Sequence, residues 1–540
     1  MKYKDYIFVS FLTIAATTQA QQTITISPLD KTRIQVEYKL PQHCTSAKLQ
    51  ERYEGRAPSL RKDWQAMDKC SSLTDGDTLT IPKGCRSSSF AVPMSSAFID
   101  RVEPLAYPMG DPGVRVHTGT FGLTDKCGDT TWIFKSPKGS VVDESGIYPK
   151  RFKASLAEKN YLNYTGVYLS YKPLKSNIKQ IFTKTVPPEL KVTLTEGEKL
   201  LSNYYRTTYP KISFTSPFLL VDNIKQNGFG VQGEVTSPHM IRIGYVNWSP
   251  EKINDTREVQ AHEYAHLLQP TRREFTSPFF HEGGAEFISL KASYDLGWIS
   301  KTVLSEKISA AVQNCIALSG NKKWDEIKHD FGRAPYDCGL AMHVLALASR
   351  QQPDSSEQTL EKYYVSQLDD THFAKFIECG NRQECTPVFS NEIIGNTKSF
   401  ASTLIASLNQ LKLVTQQSYT NPKDSYHRAS GAAFASLMSE DCKGADFYTQ
   451  QNHFQTGEML NCNSIPKKTT ITTVNGINYF TDPDAAIEAQ NKGCSTVHEV
   501  LLDNDQQIKI SVPCKNAISK TYYTIDIDRL LLLLNQRAVQ

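Results

Sequence analysis

Two histidines four residues apart, the first followed directly by a glutamate, form the segment of this chain best suited to chemistry: His262-Glu263-Tyr264-Ala265-His266. On a helix His262 and His266 project from one face, so both imidazoles can reach one divalent cation, and zinc suits such nitrogen donors. Glu263 lies about 100° further round, where it can address a water on the ion without competing as a ligand. The chemistry implied is metal-assisted hydrolysis, and it requires the segment to be helical. Asn254-Asp255-Thr256 offers capping oxygens, Glu258 follows Asp255 by three as in a capping box, and Pro270 stops a helix at Gln269.

A catalytic zinc needs a third protein ligand and an open position. Ser277-Pro278 reads as an N-cap followed by proline at the first helical position, opening a second helix through Phe279 to Phe287. Glu282 and Glu286 share one face of that helix. Glu282 can supply the third ligand, and Glu286 can accept a hydrogen bond from a ligating imidazole, fixing its tautomer. Gly283 and Gly284 each lower helix propensity by about 1 kcal/mol, which points to a close approach of the two metal helices. In a metal-free alternative the histidines form the polar edge of an amphipathic helix and the glutamates a solvated face.

His262-Glu263-x-x-His266, a spacer of fifteen residues, then Glu282-Gly283-x-Ala285-x-Phe287 resembles the gluzincin metallopeptidases, in which the glutamate before that glycine is a zinc ligand. The resemblance implies a thermolysin-like catalytic domain and one Zn2+ per chain, held by His262, His266 and Glu282. It also implies that zinc lowers the pKa of its bound water to about 7 and polarises the scissile carbonyl. Glu263 then acts as general base and hands the proton to the leaving amine. Gluzincins commonly stabilise the oxyanion with a phenol or imidazole. Pro335-Tyr336-Asp337-Cys338-Gly339 is similar to their tyrosine-x-x-glycine helix start, making Tyr336 the candidate; a buried structural tyrosine and a role for His343 stay open.

Ser237 to Val246 alternates as a strand does, and such an edge strand in gluzincins commonly pairs with extended substrate. Gly230-Val231-Gln232-Gly233-Glu234 resembles the glycine-rich exopeptidase segment whose glutamate binds a free substrate amino group, without the methionine and asparagine of the aminopeptidase version. Glu234 is therefore an N-terminus anchor or a plain turn carboxylate, and aminopeptidase and endopeptidase activity both stay open.

These residues sit in a chain of ordinary globular composition, 39% hydrophobic and 21% charged, with a net charge of +4. No basic stripe interleaved with aromatics is present, so nothing calls for nucleic acid; the expected partner is a peptide or protein substrate. Lys2 and Lys4 precede a short apolar run, and Thr18 and Ala20 suit signal peptidase. Residues 1–20 are thus expected to be a signal peptide, directing export to the periplasm or outside the cell. Neither that run nor the pentaleucine Leu530 to Leu534 is long enough to span a bilayer. The twelve cysteines suit an oxidising compartment, with Cys379 and Cys385, Cys442 and Cys462, and Cys494 and Cys514 as near neighbours, and Cys44, Cys70, Cys85 and Cys127 clustered early.

The expected fold class is multidomain α+β. Residues 21–175 read as a β-sandwich-like domain, because runs such as Thr23-Ile24-Thr25-Ile26 and Ile34-Gln35-Val36-Glu37-Tyr38 alternate between turn residues. Residues 176–410 read as the mainly helical catalytic domain, with Thr195-Glu196-Gly197-Glu198 capping a helix to Tyr205 and Phe218 to Val221 a buried strand. In 411–540, a strand into Asn475-Gly476, a helix opened by Asp482-Pro483 and a hairpin around Asp503-Asn504-Asp505 are similar to the second half of a PDZ domain, or to another small α+β module. The order of regions resembles the glycyl aminopeptidase-like zinc peptidases. A different class stays in play: a silent peptidase-fold protein that binds peptide or mediates surface adhesion. Retention of Glu263 with all three ligand candidates speaks for turnover.

Overall fold

The computed structural model describes residues 22–49, 61–95, 106–109, 113–123, 127–128, 130–143, 145–156, 166–224, 230–237, 239–269, 277–328, 330–349, 355–366, 398–418, 424–442, 444–450, 452–457, 462–504, 508–515 and 521–535. Two compact units divide the chain, Met1–Ile178 and Lys179–Gln540. The expected signal peptide and the Cys379 and Cys385 pair lie outside the described residues.

In the first unit the alternating runs become strands: β1 (Gln22–Pro28), β2 (Arg33–Lys39), β3 (Ser88–Pro93), β4 (Gly113–His117), β5 (Thr130–Asp143), β6 (Gly146–Leu156) and β7 (Gly166–Ser170). They lie in one nine-stranded sheet in the order β3-β2-β1-β5-β7-β4, with β6 hairpinned onto β5 and short strands Gln65–Ala66 and Ala106–Pro108 at the ends. The period of two is visible in β2, where Ile34, Val36 and Tyr38 are buried and the residues between them are partly exposed. Those three join Ile24, Ile26, Phe90, Val92, Trp132 and Phe134 in the core, to which a three-stranded sheet adds Ala47 and Leu79. Disulfides Cys44–Cys127 and Cys70–Cys85 tie this unit.

The second unit opens with a four-stranded sheet of β8 (Gln180–Phe182), β9 (Phe218–Asn223), β10 (Gly230–Ser237) and β11 (Met240–Val246), in the order β8-β9-β11-β10. β10 runs antiparallel to β11 and forms the edge. The stretch expected to be one strand from Ser237 to Val246 thus begins on the last residue of β10, and its own strand β11 lies inside the sheet. Leu219, Val221, Ile241, Ile243 and Tyr245 join the core under the helices.

The helices are α1 (Pro188–Thr208), α2 (Ile253–His266), α3 (Pro278–Asp295), α4 (Lys301–Ser319), α5 (Ala334–Ser349), α6 (Ser356–Ser366), α7 (Phe400–Gln410) and α8 (Asp424–Cys442). α1 starts at Pro188, where proline needs no amide partner, so Thr195 to Glu198 is helix interior and not a cap. Gly197 has a packing reason: a Cβ there would stand 2.1 Å from Oε1 of Gln260 in α2. The Gln260 amide donates in turn to the Leu194 carbonyl at 2.9 Å.

Toward the C-terminus, β12 (Phe447–Gln450), β13 (His453–Thr456), β14 (Thr470–Val474), β15 (Glu499–Asn504) and β16 (Lys509–Pro513) lie side by side in that order, with Ile477–Asn478 paired to β14. Asn475 and Gly476, at φ 49° and 79°, make the tight turn after β14. Asp482 caps α9 (Pro483–Thr496) by accepting from the Ala485 amide. Phe454, Ile471, Val474, Leu502 and Val512 join the same core as the helices of this unit. The pentaleucine lies in α10 (Ile527–Asn535), which buries Leu530 and Leu534 beside Phe287, Leu290 and Leu340. Cys315–Cys338 joins α4 to α5, and Cys442–Cys462 and Cys494–Cys514 staple the C-terminal region.

Candidate active site

α2 is entered through a single 3-10 turn, Pro250–Lys252, and its N-terminal position is Lys252 with no side-chain cap. Asn254, Asp255 and Thr256, expected to cap, lie inside the first turn instead. Thr256 bonds back to the Lys252 carbonyl at 2.7 Å and accepts from the Trp248 indole at 2.8 Å. The helix ends at His266, three residues short of the expected Gln269. α3 begins as its sequence implies, with Ser277 accepting from the Phe279 amide and Pro278 in the first turn. Of the two glycines of α3, Gly284 faces Gln269 just beyond α2, while Gly283 serves a different neighbour from the one expected. A Cβ on Gly283 would stand 2.1 Å from the Gly339 carbonyl carbon, so this glycine lets α3 cross α5, not α2.

The packing of α2 beside α3 places His262, His266 and Glu282 together. Nε2 of His262 lies 3.1 Å from Nε2 of His266, and Oε2 of Glu282 lies 3.4 Å from each. A tetrahedral ion with ligands at about 2.0–2.1 Å has ligand-to-ligand edges of roughly 3.3–3.4 Å, so the triangle has the size that zinc requires. All three side chains are largely buried. The surroundings favour positive charge where the atoms converge. Burial opposes protonation of His262, but the Glu282 hydrogen bond and the charges of Glu286, Glu263 and Glu282 outweigh it and lift its pKa to about 9. Burial likewise opposes the charge on Glu282, yet His266 and the bonds from His262, His266 and His281 hold its carboxyl well below the ordinary value.

Glu263 is buried and lies against β10, where its Cγ would be 2.2 Å from a Cβ on Gly233. The absence of a side chain at Gly233 therefore makes the space that Glu263 occupies. Glu286 stands near the same cluster, its Oε1 3.9 Å from Nδ1 of His262, too far for a direct hydrogen bond. Tyr336, in the first turn of α5, lays its ring on that of His262 with centroids 5.6 Å apart. The Arg333 guanidinium stands 5.5 Å from the Tyr336 ring centroid and pairs with Asp337 at 2.9 Å.

Glu234 is placed differently. It follows Gly233 on a strand and so projects from the opposite face, where its carboxylate stands 4.0 Å from Arg242. Arg242 is itself bound through two nitrogens to Asp222 at 3.0 and 3.1 Å. His343 is fully buried and its Nδ1–H donates to the Gly339 carbonyl at 2.9 Å, so it packs the α3–α5 crossing. Burial pushes its pKa down to about 4, against a weaker opposing pull from that carbonyl.

Three residues at the site have roles that the sequence reading did not assign. His281 stacks on His266 with centroids 4.3 Å apart, and its Nδ1 lies 3.5 Å from Oε1 of Glu282. Gln269 bonds to His266 Nδ1 at 2.7 Å. Gly233 clears space for Glu263. The available signals were the position of Gln269, three residues after a ligand candidate, and that of Gly233 in the glycine-rich segment.

The fold is similar to that of a solved structure. The chain superimposes on an aminopeptidase N family protein from Idiomarina loihiensis with a TM-score of 0.59 at 12% identity, covering 95% of this chain and 100% of that one. An M1 zinc metallopeptidase from Deinococcus radiodurans aligns at TM-score 0.39 and 11% identity, over 72% of this chain and 92% of the other. No family model matches the sequence, and no curated protein does. The first of these likenesses concerns the fold, and the site must carry the chemistry. Two imidazoles and a carboxylate with zinc spacing, a second carboxylate beside them and a phenol across the cluster are the parts that water activation and amide cleavage require.

Proposed function

We propose that the protein is an exported zinc-dependent metallopeptidase, with His262, His266 and Glu282 as the zinc ligands. The observation that carries this reading is the 3.1–3.4 Å triangle of two imidazole nitrogens and one carboxylate oxygen, buried among further carboxylates. The shared fold with an aminopeptidase N family protein supports it. Zinc held there would acidify a coordinated water and polarise the scissile carbonyl, as it does in hydrolases generally. Glu263 takes one proton from the attacking water as oxygen bonds to the carbonyl carbon, and delivers it to the nitrogen as the carbon–nitrogen bond breaks. Tyr336 donates a hydrogen bond to the oxyanion from its place beside His262.

Among the described residues β10 is an edge strand of its sheet, and it lies against Glu263, a placement that suits an extended peptide. As an anchor for a substrate amino group, Glu234 would have to exchange Arg242 for the ligand. For the C-terminal sheet, the order strand, Asn475-Gly476 turn, α9 and hairpin supports a PDZ-like module that binds peptide. Five disulfides among the described residues support an oxidising compartment, and none of the described helices is long and apolar enough to cross a membrane.

The test is to measure bound zinc and cleavage of amino-blocked and unblocked peptides by the parent and by Glu263→Gln. Stoichiometric zinc in both, with turnover in the parent alone, is expected. Zinc in both with no turnover in either would replace the peptidase by a silent peptide-binding protein. Absence of zinc from both would remove the reading, and cleavage of blocked peptides would exclude an obligatory aminopeptidase.

A further inference from the structure

Gln269 lies in the turn just beyond α2, with its side chain directed back at the metal cluster. Its amide oxygen is 2.7 Å from Nδ1 of His266, and its amide nitrogen is 2.9 Å from the backbone carbonyl of His281 and 3.4 Å from the Tyr364 hydroxyl. The orientation of this amide follows from its partners. A backbone carbonyl only accepts, so the group facing His281 must be the NH2 and the group facing His266 must be the oxygen. An amide oxygen also only accepts, so Nδ1 of His266 carries the hydrogen. The lone pair of His266 is thereby left on Nε2, the atom that meets His262 and Glu282.

We propose that Gln269 is a positioning residue for the metal centre, which fixes the tautomer and ring plane of His266 so that Nε2 is always the coordinating atom. The proposal rests on the zinc reading above. His281 completes the grip, giving its carbonyl to Gln269 and its ring to the face of His266.

α3 makes room for this arrangement. A Cβ on Gly284 would stand 2.7 Å from the Gln269 amide nitrogen, 2.9 Å from the Tyr364 hydroxyl and 3.1 Å from Nε2 of His343. Gly284 is therefore the space through which the Gln269 amide reaches its acceptor. A neutral amide also has an electrostatic reason. Glu263, Glu282 and Glu286 already act on His262. A carboxylate at 269 would keep an acceptor for Nδ1 of His266 but would lose the donor to the His281 carbonyl and add a further negative charge to a buried cluster.

The test compares zinc affinity, by competition with a chromophoric chelator, in the parent, Gln269→Met, Gln269→Ala and Gln269→Glu. Gln269→Met fills similar space without an acceptor, and it and the alanine variant are expected to bind zinc about 10–100-fold more weakly. Gln269→Glu keeps an acceptor opposite Nδ1 and is expected to stay within about tenfold of the parent. Cobalt-loaded Gln269→Met should show a displaced visible absorption spectrum, while the unfolding midpoint of its metal-free form matches the parent's; a purely structural residue would move the midpoint and leave the spectrum alone. Gly284→Ala, which touches no ligand atom, should weaken zinc binding in the same direction. Zinc affinities alike in the parent, the methionine and the alanine variants would overturn the proposal while leaving the zinc reading intact. A parent without zinc would remove both.

Discussion

On one face of the sheet β8-β9-β11-β10, Leu219, Val221, Ile241, Ile243 and Tyr245 pack beneath the helices, and Gly233 opens a gap for Glu263. On the other face, reached by shifting one residue along each strand, stand Asp222, Arg242 and Glu234, with Arg242 held by both carboxylates. On this second face the charges sit among Phe218, Leu220 and Met240, which are buried there too, so the charged cluster and not burial sets the two faces apart. The difference arises from the two-residue period of a strand, which sends neighbours such as Gly233 and Glu234 to opposite faces. It teaches that closeness in sequence to a residue facing the candidate site is not closeness to that site. Gly233, with no side chain, faces the chemistry, while its charged neighbour serves the sheet.

The comparison is broken most severely at Gly233. A Cβ there would stand 2.2 Å from Cγ of Glu263, and the branched side chain of Gly233→Val would drive the carboxylate from its place. Loss of a positioned general base costs about 10²–10⁴-fold in rate, so kcat should fall by that range. The zinc content should equal the parent's, because the ligands come from α2 and α3. A variant that turns over normally would show that Glu263 does not act from the position it holds against β10.

On the other face the expected effect is on stability alone. Arg242→Met leaves Asp222, with only 3% of its side chain exposed, as a buried carboxylate without its bidentate partner. Removing one member of a buried pair destabilises by about 3–5 kcal/mol. The denaturant midpoint should drop accordingly, while kcat per zinc-loaded molecule holds. A fall in kcat with an unchanged midpoint would mean that the charged face, too, takes part in the reaction.

Much of this arrangement was legible before any coordinates, and the division between legible and illegible parts follows contact distance along the chain. The grouping of His262, His266 and Glu282 was readable because helical spacing alone decides which residues share a face, whereas Glu286 stands 3.9 Å from His262 and does not accept the hydrogen bond its spacing suggested. Ser277-Pro278 was readable because a cap acts within one turn. The partner of Gly283 was not, since Gly339 lies on a helix that reaches it only by tertiary packing. The hairpin of β10 and β11 was hidden because alternation continues through Ser237 and obscures the turn. Thr195 to Glu198 resembled a cap, but Pro188 had already set the start of α1. Gln269 looked like the end of a helix, and only the carbonyl of His281 reveals its task.

The helix side of the comparison also contains an ionisable group, and burial keeps it neutral. His343 is fully buried where α5 crosses α3, and its pKa is pushed down by burial to about 4 from an ordinary 6.5. Between those values the unfolded chain binds a proton that the folded chain refuses, so unfolding gains favour as pH falls. The stabilisation from keeping His343 neutral is complete above pH 6.5, declines down to pH 4 and is gone below it. At about 1.36 kcal/mol per pKa unit the whole decline amounts to about 3 kcal/mol, an upper bound for one group. Denaturant midpoints of the parent and of His343→Asn, which keeps a donor near the Gly339 carbonyl, should therefore converge as pH is lowered from 7.5 to 4. The variant carries its own packing cost at every pH, but it lacks the acid-sensitive part. A gap between the two proteins that stays constant across this range would show that His343 does not titrate differently on folding. The helix side would then have no neutral histidine to set against the paired charges of the opposite face.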